Sequence, residues 1–596
     1  MYEKLLRYIV TLNQWRKKHI SQDNFLIIAA AIVGVTGGLA ASILKKLVHV
    51  LANYLQNDFH WQYKFYLFFF FPLIGIFLTV LYVKTFIRKH PFHHGIPPLI
   101  KSISQENSRL DFHNIYSQVI SSAVTVGMGG SAGLEAPAAS SGAAIGSNFG
   151  RLFGLNYRET TMLLACGGAA GISAAFGSPI AGMVFALEVL LPAFSIPAFI
   201  PLLISSAIAS VISKMMHSEP LFINIASRWE VGTFWFYVIF GVVAGFYTIF
   251  YSRLNETIPI FFGKIKNKYS KIWAGGIMLG VLVTLFPAIY GEGYITIQKL
   301  LDGDYQSLLG NSIFSEYQSY TWILVVFAVL SLIGKTYGCV ITMSSGGNGG
   351  MFGPSVVIGG LLGFIFAFTM NQSGWVHLNI TNFIIAGMAA SVSGAMHAPL
   401  TGIFLSAEIT GGYALIVPLM VVAAISYFIN KAFRKYSIYT FVLAEQGSLV
   451  TSEDKDASVL MHLKLKYLLE KDFILLSAKD TAFGRRKDII QSSRNVFPVV
   501  DDSGKLLGIL SIEELLGHIV GATPGIQDLP ISDMVQPLGD KVVIGTRMRE
   551  VMQLMDKKNI RILPVVDQDN KYLGFVTKNG IFNKYRKLLV RQNDML

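Results

Sequence analysis

The chain has 596 residues, 52% of them hydrophobic and only 14% charged, and its mean hydropathy is +0.50; an average soluble protein carries about 25% charged residues, so an ordinary soluble enzyme is excluded. Its 56 glycines and 42 phenylalanines fit membrane helices that pack through small residues and are bordered by aromatic ones. The formal charge of +13 would suggest nucleic acid in a soluble protein, but Lys and Arg lie mostly at the ends of apolar runs and read as topology signals, so no nucleic-acid partner is expected.

In chain order, residues 1–24 carry Lys4, Arg7, Arg16, Lys17 and Lys18 on a short amphipathic pattern without a small-residue cleavage site. This predicts a basic cytoplasmic end and not a signal peptide. Residues 25–444 alternate apolar runs with short polar breaks, among them Phe25 to Leu55, Phe65 to Phe86, Phe234 to Tyr251, Ile272 to Tyr290, Trp322 to Ile341 and Leu415 to Ile429. Several reach the roughly 20 residues that cross a bilayer. Four others, at Gly127 to Gly150, Gly167 to Glu188, Gly346 to Gly363 and Gly387 to Glu408, are interrupted by Gly and Pro, and interrupted backbone at membrane depth must line a cavity or be buried in protein. After Leu443 the composition changes to a soluble module with its own repeat, in which "FPVVDDSGKLLGILS" (Phe497 to Ser511) matches "LPVVDQDNKYLGFVT" (Leu563 to Thr577). Each copy predicts strand, turn and strand. Cys166 and Cys339, the only cysteines, sit in apolar segments and predict neither a disulfide framework nor a cysteine metal site.

The membrane part repeats as well. "GGSAGLEAP" (Gly129 to Pro137) lies over "GGNGGMFGP" (Gly346 to Pro354), with Gly133 on Gly350, Pro137 on Pro354, Gly142 on Gly359 and Gly146 on Gly363. "AFGSPIAGMVFALE" (Ala175 to Glu188) lies over "AMHAPLTGIFLSAE" (Ala395 to Glu408), with Pro179 on Pro399 and Glu188 on Glu408. Two halves, about 25–230 and 231–444, with interruptions in corresponding places predict a transporter-like fold whose site lies between the repeats. A Gly-rich stretch that opens an apolar helix presents unpaired N–H groups and a positive dipole end, and such an end binds anions. Glu135 lies inside the first of these starts. A carboxylate there can occupy the anion's own place, and protonation would neutralise it and release it, which makes it a candidate pH-dependent gate. Glu188 and Glu408 end the paired blocks symmetrically and are expected to be interfacial or paired carboxylates.

At these blocks the chain resembles the CLC family of chloride channels and chloride/proton antiporters, followed by a pair of cystathionine-β-synthase (CBS) domains. The likeness covers nearly the whole chain and rests on "HHGIP" (His93 to Pro97) for G-S-G-I-P, "GLEAP" (Gly133 to Pro137) for G-x-E-x-P, "GGMFGP" (Gly349 to Pro354) for G-x-F-x-P, and "SIYTFVLA" (Ser437 to Ala444) with the pore tyrosine. The resemblance implies an all-α polytopic membrane domain of two inverted repeats, then a C-terminal α/β cytoplasmic CBS pair at 445–525 and 526–596. It implies a homodimer in a cell membrane, both termini cytoplasmic, with chloride as the transported ion, voltage-dependent gating, no enzymatic activity and no resident cofactor.

By position, Glu135 resembles the external gating glutamate and Tyr439 the inner-gate tyrosine that donates to the central anion. Met351 and Phe352 would give that anion backbone N–H groups, and Leu134, Ala136 and Gly353 would serve an outer site. His94 stands where the family has a pore serine, and a protonated imidazole there would add charge to the anion site. Val189 stands where the family's antiporters carry an internal proton-transfer glutamate. A valine cannot relay a proton, so the expectation is a pH-sensitive chloride channel; the alternative is an antiporter with weakened or rerouted proton coupling. In the CBS pair, the ribose-binding Ser/Thr with Asp three residues later is represented by Ser511 with Glu514 and by Thr577 with Gly580, which argues against an adenine nucleotide.

Three other readings are weaker. "GGSAG" around Ser131 matches G-x-S-x-G, but its twin block lacks the serine and no strand-to-helix elbow is expected. His90, His93 and His94 are broken by Pro91 as a metal triplet, so no metal is expected. A sodium-coupled solute transporter would be expected to cluster carbonyls and carboxylates in place of Gly-rich helix starts.

Overall fold

The computed structural model describes residues 11–593 except 12, 56–63, 88–91, 93, 192–195, 217–221, 223–227, 311, 313, 318–319, 447–462, 464, 516–529 and 536–538. His90 and His93, and the expected boundary between 525 and 526, therefore lie outside the described residues. The chain forms two compact units, Met1–Leu449 and Val450–Leu596.

The first unit is helical. Its first half holds α1 (Gln22–Asn53), α2 (Lys64–Phe86), α3 (Pro97–Gln105), α4 (Asn114–Gly127), α5 (Glu135–Leu152), α6 (Tyr157–Phe176), α7 (Pro179–Phe185) and α8 (Ile196–Met216). The second holds α9 (Phe234–Gly263), α10 (Lys268–Leu285), α11 (Tyr294–Leu301), α12 (Thr321–Ser344), α13 (Phe352–Gln372), α14 (Ile380–Met396), α15 (Pro399–Ile409), α16 (Ile416–Phe433) and α17 (Phe441–Glu445). Among the described residues, seven helical segments are long and apolar enough to cross a membrane. Their outer faces stay apolar, as Ile28, Ile32, Val35, Leu39, Ile43 and Leu47 of α1 illustrate, which suits a lipid surround.

The halves pack alike. α5 on α6, α1 on α8 and α6 on α8 are matched by α13 on α14, α9 on α16 and α14 on α16, and α7 meets its counterpart α15 directly. The aligned glycines explain why. A Cβ at Gly142 would strike the Gly167 carbonyl, and one at Gly167 would strike that of Gly142; Gly359 and Gly387 stand in the same mutual contact. α6 ends at Gly177 in the left-handed conformation (φ 70°), and α14 ends likewise at His397 (φ 56°), a conformation that histidine tolerates better than most residues. His397 Nε2 meets Asn430 Oδ1 at 2.9 Å.

Because the Gly359–Gly387 contact is backbone against backbone, neighbours cannot yield to an added side chain. Gly387→Val is expected to cost about 1–3 kcal/mol or more by overpacking, read as a lower melting temperature in detergent. Gly412→Ala, where an added Cβ meets nothing within 4 Å, should leave melting unchanged.

The second unit holds two three-stranded sheets of one topology. β1 (Leu476–Ser477) runs parallel to β2 (Val496–Val500), which pairs antiparallel with β3 (Leu506–Ser511); β4 (Val542–Val543), β5 (Ile562–Val566) and β6 (Tyr572–Thr577) repeat this. Register shifts fall at Val499/Val500 and Val565/Val566, matching positions of the sequence repeat. The hairpin tips join reciprocally: Leu506 N–H donates to Asn570 O at 3.0 Å and Tyr572 N–H to Gly504 O at 3.1 Å. In one tip Asp501 Oδ1 accepts from the Ser503 and Lys505 amides at 2.8 and 2.9 Å, and the Ser503 hydroxyl with these amides holds its carboxyl below the usual range.

Candidate functional site

The two Gly-Pro blocks meet at the centre of the first unit. Gly133 N–H donates to Gly350 O at 2.9 Å and Gly350 N–H to Gly133 O at 2.8 Å, a single antiparallel bridge. Two residues beyond it on each side, α5 opens at Glu135 and α13 at Phe352. Pro137 and Pro354 occupy the third position of each helix, where a missing N–H costs nothing because the carbonyls four residues back, of Gly133 and Gly350, lie outside the helix and already accept from each other's N–H. Two positive helix ends therefore face one buried region.

Glu135 fills it. Its side chain is 1% exposed, Gly353 N–H donates to Oε2 at 3.1 Å, and the Tyr294 hydroxyl donates to Oε1. The carboxylate thus rests on the helix start that was expected to serve an outer anion, and Gly353 is the expected donor that touches it. The Leu134 N–H approaches the carboxylate of Glu292. Met351 precedes and Phe352 opens α13; the Met351 carbonyl accepts from the Tyr251 hydroxyl at 3.3 Å, and the Phe352 ring packs on Phe176 and Phe185. Ala136 is buried at the second position of α5, against Gly350.

Tyr439 lies within electrostatic reach of Glu135. Its hydroxyl is buried and meets no hydrogen-bond partner among the described residues. A buried phenol normally finds an acceptor, so this O–H stands ready to donate to a group the protein itself does not supply. His94 meets the second glycine block: Nδ1 lies 3.2 Å from Asn348 Oδ1. Asn348 Nδ2 is committed to Gln118 Oε1 and Ser121 Oγ at 3.0 and 2.7 Å, so Oδ1 is the atom turned to the ring and Nδ1 carries the hydrogen. The single N–H of neutral His94 is thus engaged by Asn348.

The terminal carboxylates of the paired blocks exchange places. Glu188 accepts from Leu400 N, Thr401 N and Thr401 Oγ1 at 3.0, 2.8 and 2.7 Å, capping α15. Glu408 accepts from Ile180 N and Ala181 N at 3.2 and 2.9 Å, capping α7. Each half stabilises the helix start of the other through the charge–dipole effect, with backbone amides and the Thr401 hydroxyl as the carboxylates' partners. Val189 lies in a π turn, Ala186–Leu190, partly buried against the core. Glu188→Gln and Glu408→Gln should each lower stability by about 1–2 kcal/mol and leave the ratio of ions moved unchanged; a ratio altered by Glu188→Gln alone would give that residue a proton-carrying role.

Among the described residues no group of His, Cys, Asp and Glu can hold a metal, and both cysteines are free and buried. Ser131 is buried, on the strand-free approach to α5. In the second unit Glu514 Oε2 accepts from Ser511 N and Oγ at 2.8 and 3.0 Å. The Thr577 hydroxyl donates to Glu470 Oε1 at 2.5 Å and accepts from Gly580 N at 2.9 Å. Glu470, absent from the sequence reading, also pairs with Arg494 at 2.8 Å and edges a cavity of about 240 Å³ with Lys584.

Four residues around Glu135 were likewise not foreseen: Lys45, Glu292, Tyr294 and Lys335. Lys335 carried a readable signal, a lysine inside the apolar run Trp322 to Ile341, because an intramembrane charge is a functional candidate by default.

The profile described as "Voltage gated chloride channel" matches residues 75–431, and the CBS domain profile matches 486–521 and 528–587. The H(+)/Cl(-) exchange transporter ClcA of Klebsiella pneumoniae (strain 342) is 27% identical over 452 residues, covering 73% of this chain and 91% of that protein. ClcA of Salmonella typhi is 28% identical over 442 residues, covering 70% and 88%. Among solved structures, a slow cyanobacterial Cl-/H+ antiporter superposes with a TM-score of 0.58 at 23% identity over 71% of this chain and 98% of that one. A eukaryotic CLC transporter superposes with a TM-score of 0.58 at 17% identity over 93% and 97%. With its paired glycine-rich helix starts, its buried carboxylate between them and its C-terminal CBS repeat, the chain belongs to the voltage-gated chloride channel (CLC) family of anion transporters and is a multi-pass membrane protein.

Proposed function

We propose that the protein exchanges chloride for protons across a cell membrane, with Glu135 as the group that alternates between the anion's place and a proton-bearing, released position. The observation that carries this reading is the seat of Glu135: a fully enclosed carboxylate held by the α13 start through Gly353 N–H and by Tyr294. A carboxylate in an anion's position competes with the anion, and neutralising it by a proton removes its attraction to the positive helix ends. Proton binding and chloride binding are thereby alternatives at one place, which is the requirement for exchange.

The relatives named as exchangers support this over the channel that Val189 suggested. The valine closes one inner proton route and leaves Glu135 as the coupling group, with protons reaching it from within by a path that bypasses residue 189. Tyr439 guards the inner side. The working unit is a homodimer with cytoplasmic termini, and the CBS pair stabilises or regulates it.

The test is the reversal potential of proteoliposomes under combined chloride and proton gradients. Exchange displaces it from the chloride Nernst potential toward the proton gradient; a value at the chloride Nernst potential returns the protein to the channel reading.

A further inference from the structure

The segment between the turn Pro287–Ile289 and α11 doubles back through Gly291 (φ 57°) and Gly293 (φ 91°). At Gly293 the left-handed backbone is required, and a Cβ would also stand 3.3 Å from Lys335 Nζ. Lys335, on α12 and 0% exposed, donates to Gly291 O at 2.7 Å and to Ile289 O at 3.3 Å. The buried ammonium therefore fixes the loop from inside, and the loop presents two side chains to the gate. One is Tyr294, on Glu135. The other is Glu292, whose carboxylate approaches the N–H of Leu134, the residue before Glu135, and lies in the field of Glu135, Lys45 and Lys335.

Glu292 is partly exposed as a residue while Glu135 is enclosed, so of the two it is the one that keeps contact with the surface. The side is fixed by α1. Gln22 at its start donates to Glu159 at the start of α6 at 2.6 Å, and Lys45 lies about 35 Å further along at 1.5 Å per residue. Tyr439 belongs to the starting end: α17, which follows it, packs on α3, and Ile103 of α3 accepts from Tyr157 at the α6 start at 2.6 Å. Glu292 and Tyr439 thus flank Glu135 from opposite sides.

We propose that Glu292 is the outer proton relay of the exchanger: it takes a proton from the solution on the face remote from Tyr439 and passes it to Glu135. The O–H bond broken at Glu292 is the one formed at Glu135, so the carboxylate pair keeps its total charge through the transfer. The groups facing Glu292 are Lys45 from α1, Glu135 from α5, Lys335 from α12 and Tyr294 from its own segment; α13 contributes only the Gly353 N–H to the site. Cys339 lies one turn from Lys335 along α12 and is likewise buried. The relay rests on the exchange reading, and the two fail separately.

The experiment uses the full chain in proteoliposomes. Glu292→Gln should slow chloride-driven proton uptake about tenfold or more and shift the external-pH profile of chloride flux, with Glu292→Asp restoring most of the rate. In a Glu135→Gln background, where no proton needs delivery, adding Glu292→Gln should have no further effect on chloride flux. Unchanged proton uptake and pH profile in Glu292→Gln overturn the relay, as does an equal slowing of chloride in the Glu135→Gln background, which would mean a packing role. If the unsubstituted protein moves no protons, the exchange reading fails by itself and Glu292 is judged on the external-pH profile of chloride flux: a shift supports proton delivery to the gate, and an unchanged profile refutes it.

Discussion

Proteoliposomes carrying Glu135→Gln or Glu135→Ala are expected to pass chloride while moving no protons, and their chloride flux should lose its dependence on pH. Glutamine keeps the size of the side chain and can still accept from Gly353 N–H through its carbonyl oxygen, with its NH2 donating to the Tyr294 oxygen in place of accepting from it, yet it can neither take a proton nor compete with an anion through charge. Alanine removes both the group and its volume. If the two variants agree, the coupling lies in ionisation and not in steric closure. Retained proton transport or an unchanged pH profile in both would sink the assignment of the gate.

The second large effect is expected at Lys335. Lys335→Met retains most of the apolar stem but removes the ammonium that two loop carbonyls and two nearby carboxylates share. Breaking a buried charge arrangement by taking one partner away costs about 3–5 kcal/mol, because what remains is uncompensated. Thermal melting in detergent should fall accordingly. The deficit should narrow as the pH is lowered, since protonating Glu135 or Glu292 removes the charge left without a partner. A melting temperature equal to that of the unsubstituted protein at neutral pH would show that the ammonium is not needed to hold the loop.

These two residues also mark where sequence reasoning succeeds and where it stops. Glu135 was legible because it lies in a block with a twin, and the repeat turned a short Gly-Pro motif into a statement about two helix starts facing each other. The same alignment placed Glu188 and Glu408 at equivalent ends, but that each caps the other half's helix emerges only in the fold. Lys335, Glu292 and Tyr294 have no such twin. They reach the gate through a loop whose path depends on two left-handed glycines and on a lysine from another helix, and no local spacing encodes that meeting. Lys45 lies in the apolar run Phe25 to Leu55 and was not singled out, although it is partly buried in the fold. In the second unit the strand repeat was plain from two matching segments. Glu470, which takes the Thr577 hydroxyl, lies outside both and was invisible to a motif search.

The bridge between Gly133 and Gly350 has a mechanical consequence. Many secondary transporters open to alternate sides by rocking one repeat against the other about a fixed site. Here the repeats are riveted to each other at the ion path itself, by two main-chain hydrogen bonds within two residues of both helix starts, and again where each half caps the other at Glu188 and Glu408. A rocking motion would have to break those bonds in a dry interior. Under the exchange proposed above, the moving part is small: a side chain would swing inside a stationary frame, and throughput would be governed by how often that one carboxyl is relieved of its charge, not by how fast two domains can turn.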